Sequence, residues 1–233
     1  MKKHIKLYIT RHGETEYNLD HRTQGWADSP LTGYGRETVA RLGVGLRDVK
    51  FDYVYSSSSK RAIDTAQIVL DNMDVDLPII QDDKLRERGF GKLEGRILNG
   101  GAWEQAREAA EEAGYIGKLD LYVLNDRYEN IAPFGEPRVE KPYDIECFNE
   151  FKVRLKKALD DICDRIEEPE ANVFIVSHGL AILVMLYALT GDRYCVGSIA
   201  NASVTLIENI DGVYRVEGVN DTSYIKQSQK ENP

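Results

Sequence analysis

Two stretches decide the fold: Ile5-Lys6-Leu7-Tyr8-Ile9-Thr10-Arg11-His12-Gly13 and, far along the chain, Val173-Phe174-Ile175-Val176-Ser177-His178-Gly179. In the first, Ile5, Leu7 and Ile9 alternate with polar or amphipathic residues, the period of a strand, and Gly13 permits the turn that ends it. The second is a short apolar run bounded by Asn172, which fits a central strand buried on both faces. Each strand therefore delivers a histidine at its end. Outward from the first, Asp28 to Gly33 is turn chemistry, and Val39, Leu42, Leu46 and Val49 then recur at helical steps. A strand is predicted at Asp52 to Tyr55 and a helix from about Lys60 to Leu70, its first N–H groups expected to be satisfied by hydroxyls of Ser56 to Ser59. Around the second stretch, Phe148, Phe151, Leu155, Leu159, Ile162 and Ile166 hold a helical period ended near Pro169, and the apolar segment after Gly179 fits another helix. Ser203 to Ile210 and Val213 to Val219 flank Asp211-Gly212, a hairpin signal. Strands alternating with helices predict a three-layer α/β/α sandwich with a mostly parallel sheet and an antiparallel C-terminal hairpin, with ligands bound beyond the carboxyl ends of the strands.

The 233 residues carry 30 basic and 39 acidic side chains, a formal net charge of -9. That balance argues against nucleic-acid binding by broad electrostatic attraction. The longest apolar stretch, Ala181 to Leu189, falls short of the roughly 18 residues a membrane span needs. The opening MKKHIKLYIT has basic residues but no apolar h-region or cleavage site, so no signal peptide and a cytoplasmic location are expected. Cys147, Cys163 and Cys195 are odd in number with no CxxC spacing, and His4, His12, His21 and His178 form no HxH or HExxH arrangement, so neither a disulfide framework nor a metal site is expected. Between Arg96 and Glu146 the pattern weakens to a helix around Trp103 to Ala113 followed by Pro133, Gly135, Pro137 and Pro142. We read one domain over residues 1–233, with a cap-like insertion at about 96–146. The sequence does not specify an oligomeric state.

Chemistry concentrates at the strand ends. RHGETEYN places Arg11, His12, Gly13, Glu14 and Asn18 within eight residues. An arginine fork matches phosphate oxygens, a neutral imidazole is a nucleophile, and glycine lets a ligand approach the backbone. Alone, a histidine beside an arginine equally describes a surface loop. YSSSSKRAIDTA changes the balance, because it follows a strand and puts Arg61 in the first turn of a helix, where N–H groups already favour anions. A phosphate pocket accounts for both segments. Ser177-His178-Gly179 lacks the first glycine of a serine-hydrolase elbow, Ile175 standing in its place. His4 and His21 are read as surface residues, and Trp26, Trp103 and the thirteen tyrosines as core or rim.

These pieces resemble the histidine phosphatase superfamily, in particular its branch of cofactor-dependent phosphoglycerate mutases and related small-molecule phosphatases. The resemblance is carried, in order, by LYITRHGETEYN from Leu7, GWADSPLTGYG from Gly25, VYSSSSKRAIDTA from Val54, LRERGFGKLEG from Leu85, VSHGL from Val176 and NASV from Asn201. It implies a phosphoglycerate mutase-like fold, with His12 as the nucleophile that takes the phosphoryl group. Arg11, Arg61 and His178 would bind its oxygens, with Asn18 and Gly179 in the same phosphate site. Glu87 would protonate the leaving alkoxide and then activate water, with Glu14 as the rival carboxylate. The family usually has Pro-Leu where this chain has Ser58-Ser59. Its mutases carry a paired-arginine segment in the insertion, whereas Arg96, Arg107, Lys118, Arg127, Arg138 and Lys141 are scattered here. Weak anchoring of a bisphosphorylated cofactor favours hydrolysis. The expectation is a metal-independent phosphatase that acts on a small phosphorylated metabolite through a phosphohistidine, without cofactor. The alternatives are a mutase using 2,3-bisphosphoglycerate and a non-catalytic phospholigand sensor. No nucleic-acid or membrane partner is expected.

Overall fold

A computed structural model describes residues 3–97, 144–191 and 198–227. Residues 98–143 of the cap-like insertion, with its expected helix around Trp103, and Cys195 lie outside the described residues. Among the described residues the sheet has six strands in the order β3-β2-β4-β1-β5-β6. They are β1 (His4–Arg11), β2 (Tyr53–Ser56), β3 (Ile79–Gln81), β4 (Glu170–Ser177), β5 (Val204–Ile210) and β6 (Val213–Asp221). β1, β2 and β3 join β4 in a parallel block, and β5 and β6 add an antiparallel edge. The turn between β5 and β6 has positive φ at Asp211 (52°) and Gly212 (84°). Those are the angles a two-residue hairpin needs to match strand twist.

Helices cover both faces. Ile5, Leu7 and Ile9 of β1 and Val173 and Ile175 of β4 pack against α4 (Phe148–Arg165) and α5 (Gly179–Thr190). Val54, Phe174, Val176 and Val204 pack against α2 (Gly33–Gly45) and α3 (Lys60–Met73) on the other face. β4 is thus apolar on both sides, which is why its sequence is a continuous apolar run. The short α1 (Glu16–Leu19), 3₁₀ turns at Asp83–Leu85 and Gly91–Leu93, and a terminal α6 (Ser223–Gln227) complete the described fold. Among the described residues no helix is long and apolar enough to cross a membrane.

Two local expectations are corrected. Ser59 is the N-cap of α3, but its side chain makes no capping bond. The Lys60 N–H is instead taken by Asp28 Oδ2 at 2.5 Å, so a carboxylate from a distant turn caps this helix. Edge strand β3 was not anticipated, because only Ile79 and Ile80 carry its apolar signal and neither is fully buried.

The topology builds the site. Arg11 pairs with Ser177 at the shared end of parallel strands β1 and β4, so His12 and His178 emerge side by side. From there β1 continues to a helix on one face and β4 to a helix on the other. Such a divergence opens a crevice at the carboxyl edge of a sheet.

Candidate active site

His12 and His178 are 3% and 0% exposed, and their rings meet edge to face with centroids 5.2 Å apart. His12 Nδ1 lies 2.8 Å from the Gly13 carbonyl oxygen. A carbonyl only accepts, so Nδ1 carries the proton and donates, leaving the lone pair on Nε2. Burial, then the charges of Arg61 and Arg11, holds the His12 pKa well below its ordinary value, opposed by the Gly13 carbonyl. The ring is therefore a neutral base with its free nitrogen defined.

Gly13 does something other than admit a ligand. A Cβ built there would stand 2.7 Å from Val39 Cγ2 and 3.1 Å from the Gly35 carbonyl oxygen. The missing side chain lets α2 close over the turn. Thr65 Oγ1, on α3, accepts the Gly13 N–H at 3.0 Å and donates to Arg61 O at 2.7 Å. Helices from one face thus fix the backbone that aims His12.

Arg61 is 1% exposed, and four of its five N–H donors are spent. Nη1 donates to Ala27 O (2.9 Å) and Asp28 Oδ1 (3.0 Å), and Nη2 donates to Gly25 O (2.8 Å) and His178 Nδ1 (3.0 Å). Nε is buried with no hydrogen-bond partner among the described residues. A buried guanidinium donor left without a partner costs free energy, and an anion oxygen would relieve it. Burial lowers the Arg61 pKa, opposed by Asp28, but a guanidinium stays charged. The loop that holds Arg61 is itself pinned by Glu94, whose carboxylate accepts the N–H groups of Gly25, Trp26, Ala27 and Phe90 at 2.8–3.0 Å.

Because arginine only donates, His178 Nδ1 must be the acceptor, which places the His178 proton on Nε2. That N–H donates to Ser57 Oγ at 2.8 Å. Burial and the charge of Arg61 hold His178 well below its ordinary pKa.

Arg11 Nη1 donates to Ile199 O at 2.6 Å, and the arginine side chain lies against Gly179, where a Cβ would meet Nε at 3.4 Å. Asn18 Oδ1 accepts the Thr15 N–H, as part of the α1 capping box, and Asn201 Nδ2 at 3.3 Å. Asn201 also donates to His12 O at 2.8 Å. Asn201 lies in the NASV segment but was not among the predicted site residues.

Glu87 is 6% exposed. Oε1 accepts the Arg88 N–H at 2.8 Å, and Oε2 accepts the Leu180 N–H, in the first turn of α5, at 3.0 Å. Burial raises its pKa, opposed by those two N–H groups and by Arg61 and Arg11. Its backbone carbonyl accepts from Trp26 Nε1 (3.0 Å) and Arg154 Nη2 (3.2 Å). Arg154 also donates to Lys84 O and Arg86 O and grips the Glu146 carboxylate with a fork, both bonds 2.8 Å. Sequence reading missed Arg154, a charged residue in a helix with no motif around it. Glu14, the rival carboxylate, accepts the Thr32 hydroxyl at 2.9 Å while its carbonyl accepts the Thr32 N–H, tying it to the N-cap of α2. His4 sits at the opposite end of β1 beside Glu208. Among the described residues no three His, Cys, Asp or Glu side chains gather as a metal site.

Two buried neutral histidines, two arginines and one buried carboxyl stand at the carboxyl edge of the sheet's parallel strands, an arrangement suited to binding a phosphate. The chain belongs to branch 1 of the histidine phosphatase superfamily, whose model matches residues 7–222. Its members are phosphatase or mutase enzymes. The chain is 30% identical to a 2,3-bisphosphoglycerate-dependent phosphoglycerate mutase of Cytophaga hutchinsonii, covering 78% of this chain and 76% of that protein. It is 28% identical to the uncharacterized phosphatase PhoE of Bacillus subtilis, over 93% and 95% of the two chains. The crystal structure of phosphoglycerate mutase from Bacillus anthracis superposes with a TM-score of 0.82 at 35% identity, covering 98% of each chain.

Proposed function

We propose that the protein is a metal-independent phosphatase that hydrolyses a small phosphomonoester through a phosphohistidine at His12. The observation that carries this reading is the His12 hydrogen bond to Gly13 O, which leaves Nε2 unprotonated in a ring kept neutral by burial and two arginines. Nε2 attacks phosphorus, the P–N bond forms, and the bond to the leaving oxygen breaks. The Gly13 carbonyl supports the positive charge that develops on the ring. Arg11, the Nε–H of Arg61, Asn18 and the backbone at Gly179 take the phosphoryl oxygens; His178, expected from the sequence to bind them too, has both ring nitrogens spent on Arg61 and Ser57 and acts by holding Arg61. Glu87, whose pKa is raised by burial, donates its proton to the leaving alkoxide. In the second half, the Glu87 carboxylate takes a proton from water, the hydroxide attacks phosphorus, and the P–N bond breaks to restore neutral His12. No cofactor is needed for that cycle.

Two relatives are named as mutases, which supports a second reading. There, 2,3-bisphosphoglycerate would prime His12 and a phosphoglycerate would replace water. A phosphate-release screen on a panel of phosphorylated metabolites, with and without 2,3-bisphosphoglycerate, separates the two. Hydrolysis predicts release that the bisphosphate does not accelerate, whereas a mutase interconverts phosphoglycerates only after priming. His12→Ala should abolish turnover and remove an acid-labile, base-stable phosphoryl group trapped from the wild type. Wild-type turnover by that variant would refute the phosphohistidine.

A further inference from the structure

We infer that Ser57 is a positioning residue that fixes the His178 imidazole in the geometry phosphoryl transfer requires; the inference rests on the function proposed above. Ser57 is fully buried, one residue beyond the last paired position of β2. Its N–H donates to Val176 O at 2.9 Å, extending the parallel ladder toward β4. Its backbone is therefore anchored to the strand that presents His178.

The hydroxyl has no capacity left for a ligand. Oγ accepts from His178 Nε2 at 2.8 Å and from the Ser59 N–H at 3.3 Å, and donates to Ser59 Oγ at 3.3 Å. A serine hydroxyl offers one donor and two acceptor sites, and all three are used. That accounting excludes a nucleophilic or phosphate-binding serine. It leaves the contact with His178 as the one that reaches the site.

That contact completes a directed chain. Arg61 Nη2 donates to His178 Nδ1, and His178 Nε2 donates to Ser57 Oγ. Arg61 sets the tautomer, but one hydrogen bond leaves an imidazole free to swing about it. The second bond, from the other ring nitrogen, removes that freedom and fixes the ring whose centroid stands 5.2 Å from that of His12. Bonds that start at a cation polarise those that follow, so the Nε2–H is also made a better donor.

The test is a double-mutant cycle on kcat/KM with Ser57→Ala and His178→Asn, joined by Ser57→Thr. Misplacing a group by a fraction of an ångström predicts a loss of about 10- to 100-fold for Ser57→Ala in the wild-type background. The loss should fall on kcat more than on KM. Ser57→Thr should restore activity, and Ser57→Ala should cost nothing further once His178 is Asn. In the unliganded protein, the His178 Nε2–H resonance should move and exchange faster in Ser57→Ala and stay in Ser57→Thr, a readout independent of turnover. An unchanged resonance, wild-type activity in Ser57→Ala, or an equal loss in the His178→Asn background would overturn the inference. His12→Ala with wild-type activity would instead sink the phosphohistidine reading, and the resonance would still report on Ser57.

Discussion

Replacing Glu87 with Gln tests the acid role and the geometry together. Each carboxylate oxygen accepts one backbone N–H, from Arg88 at 2.8 Å and from Leu180 at 3.0 Å. A glutamine keeps one acceptor and turns an NH₂ toward the other N–H. One buried donor is then orphaned, which costs about 1–3 kcal/mol. For a domain of this size that is a fall in melting temperature of about 2–12 °C. The chemical effect is separate. Loss of a positioned acid should lower turnover on an alkyl phosphate by about 10²–10⁴-fold. An aryl phosphate, whose leaving group needs little protonation, should lose far less. Because burial raises the Glu87 pKa and lowers that of His12, the acid form of one coexists with the neutral form of the other below neutrality. The wild-type profile should peak on the acidic side, and the variant should lose its alkaline limb. The assay is kcat against pH on both substrates, with a melting curve for each protein. Equal losses on both substrates, or a larger loss from Glu14→Gln, would remove Glu87 from the acid role.

Gly13→Ala drives a methyl to 2.7 Å from Val39 Cγ2 and should cost about 1–3 kcal/mol by denaturant melt, with Val39→Ala restoring part of it; no loss would mean that α2 does not need the close approach. His12 and His178 have depressed pKa values, so as pH falls below the ordinary histidine value of about 6.5 the unfolded chain gains protons that the folded chain refuses, and stability drops by up to about 1.4 kcal/mol per pH unit for each. Glu87, with its pKa raised, opposes this above the ordinary carboxyl range, so Glu87→Gln should steepen the fall as pH drops toward that range in urea melts; a flat profile in both proteins would refute buried neutral histidines.

The sheet was legible because β1 and β4 carry opposite signals with one ending. Alternation in one and continuous apolarity in the other are both what their burial requires, and each stops at a His-Gly pair. The histidines and Arg61 followed from position, since a strand end and a first helical turn can be placed by periodicity. Glu87 could not be placed that way. It lies between two 3₁₀ turns, in backbone held by Trp26 and Arg154 from elsewhere in the chain. Only the resemblance pointed to it. The capping of α3 was misread for a related reason. A run of serines reads as its own cap, but the chain fold brings Asp28 to the same N–H groups. Contacts from side chain to distant backbone leave no periodic trace, and they hold most of this site together.

The charges of the site explain how binding can prepare the acid. Arg61 and Arg11 are the described cations that act on Glu87, and Asp28 already offsets Arg61 through a 3.0 Å contact. With both histidines neutral, an ionised Glu87 would compete with an incoming phosphate for the same two guanidinium groups. Those groups also help to hold Glu87 below the value that burial alone would give it. A phosphate dianion that draws Arg11 and the Nε–H of Arg61 to itself weakens that support and adds a like charge beside the carboxyl. Both effects favour the protonated form. Within the proposed mechanism the substrate therefore promotes protonation of the residue that must donate to its leaving oxygen. Once the alkoxide has left with that proton, the neighbouring phosphoryl charge makes the carboxylate a stronger base toward water. One buried carboxyl under the influence of two arginines can thus serve both halves of the proposed reaction.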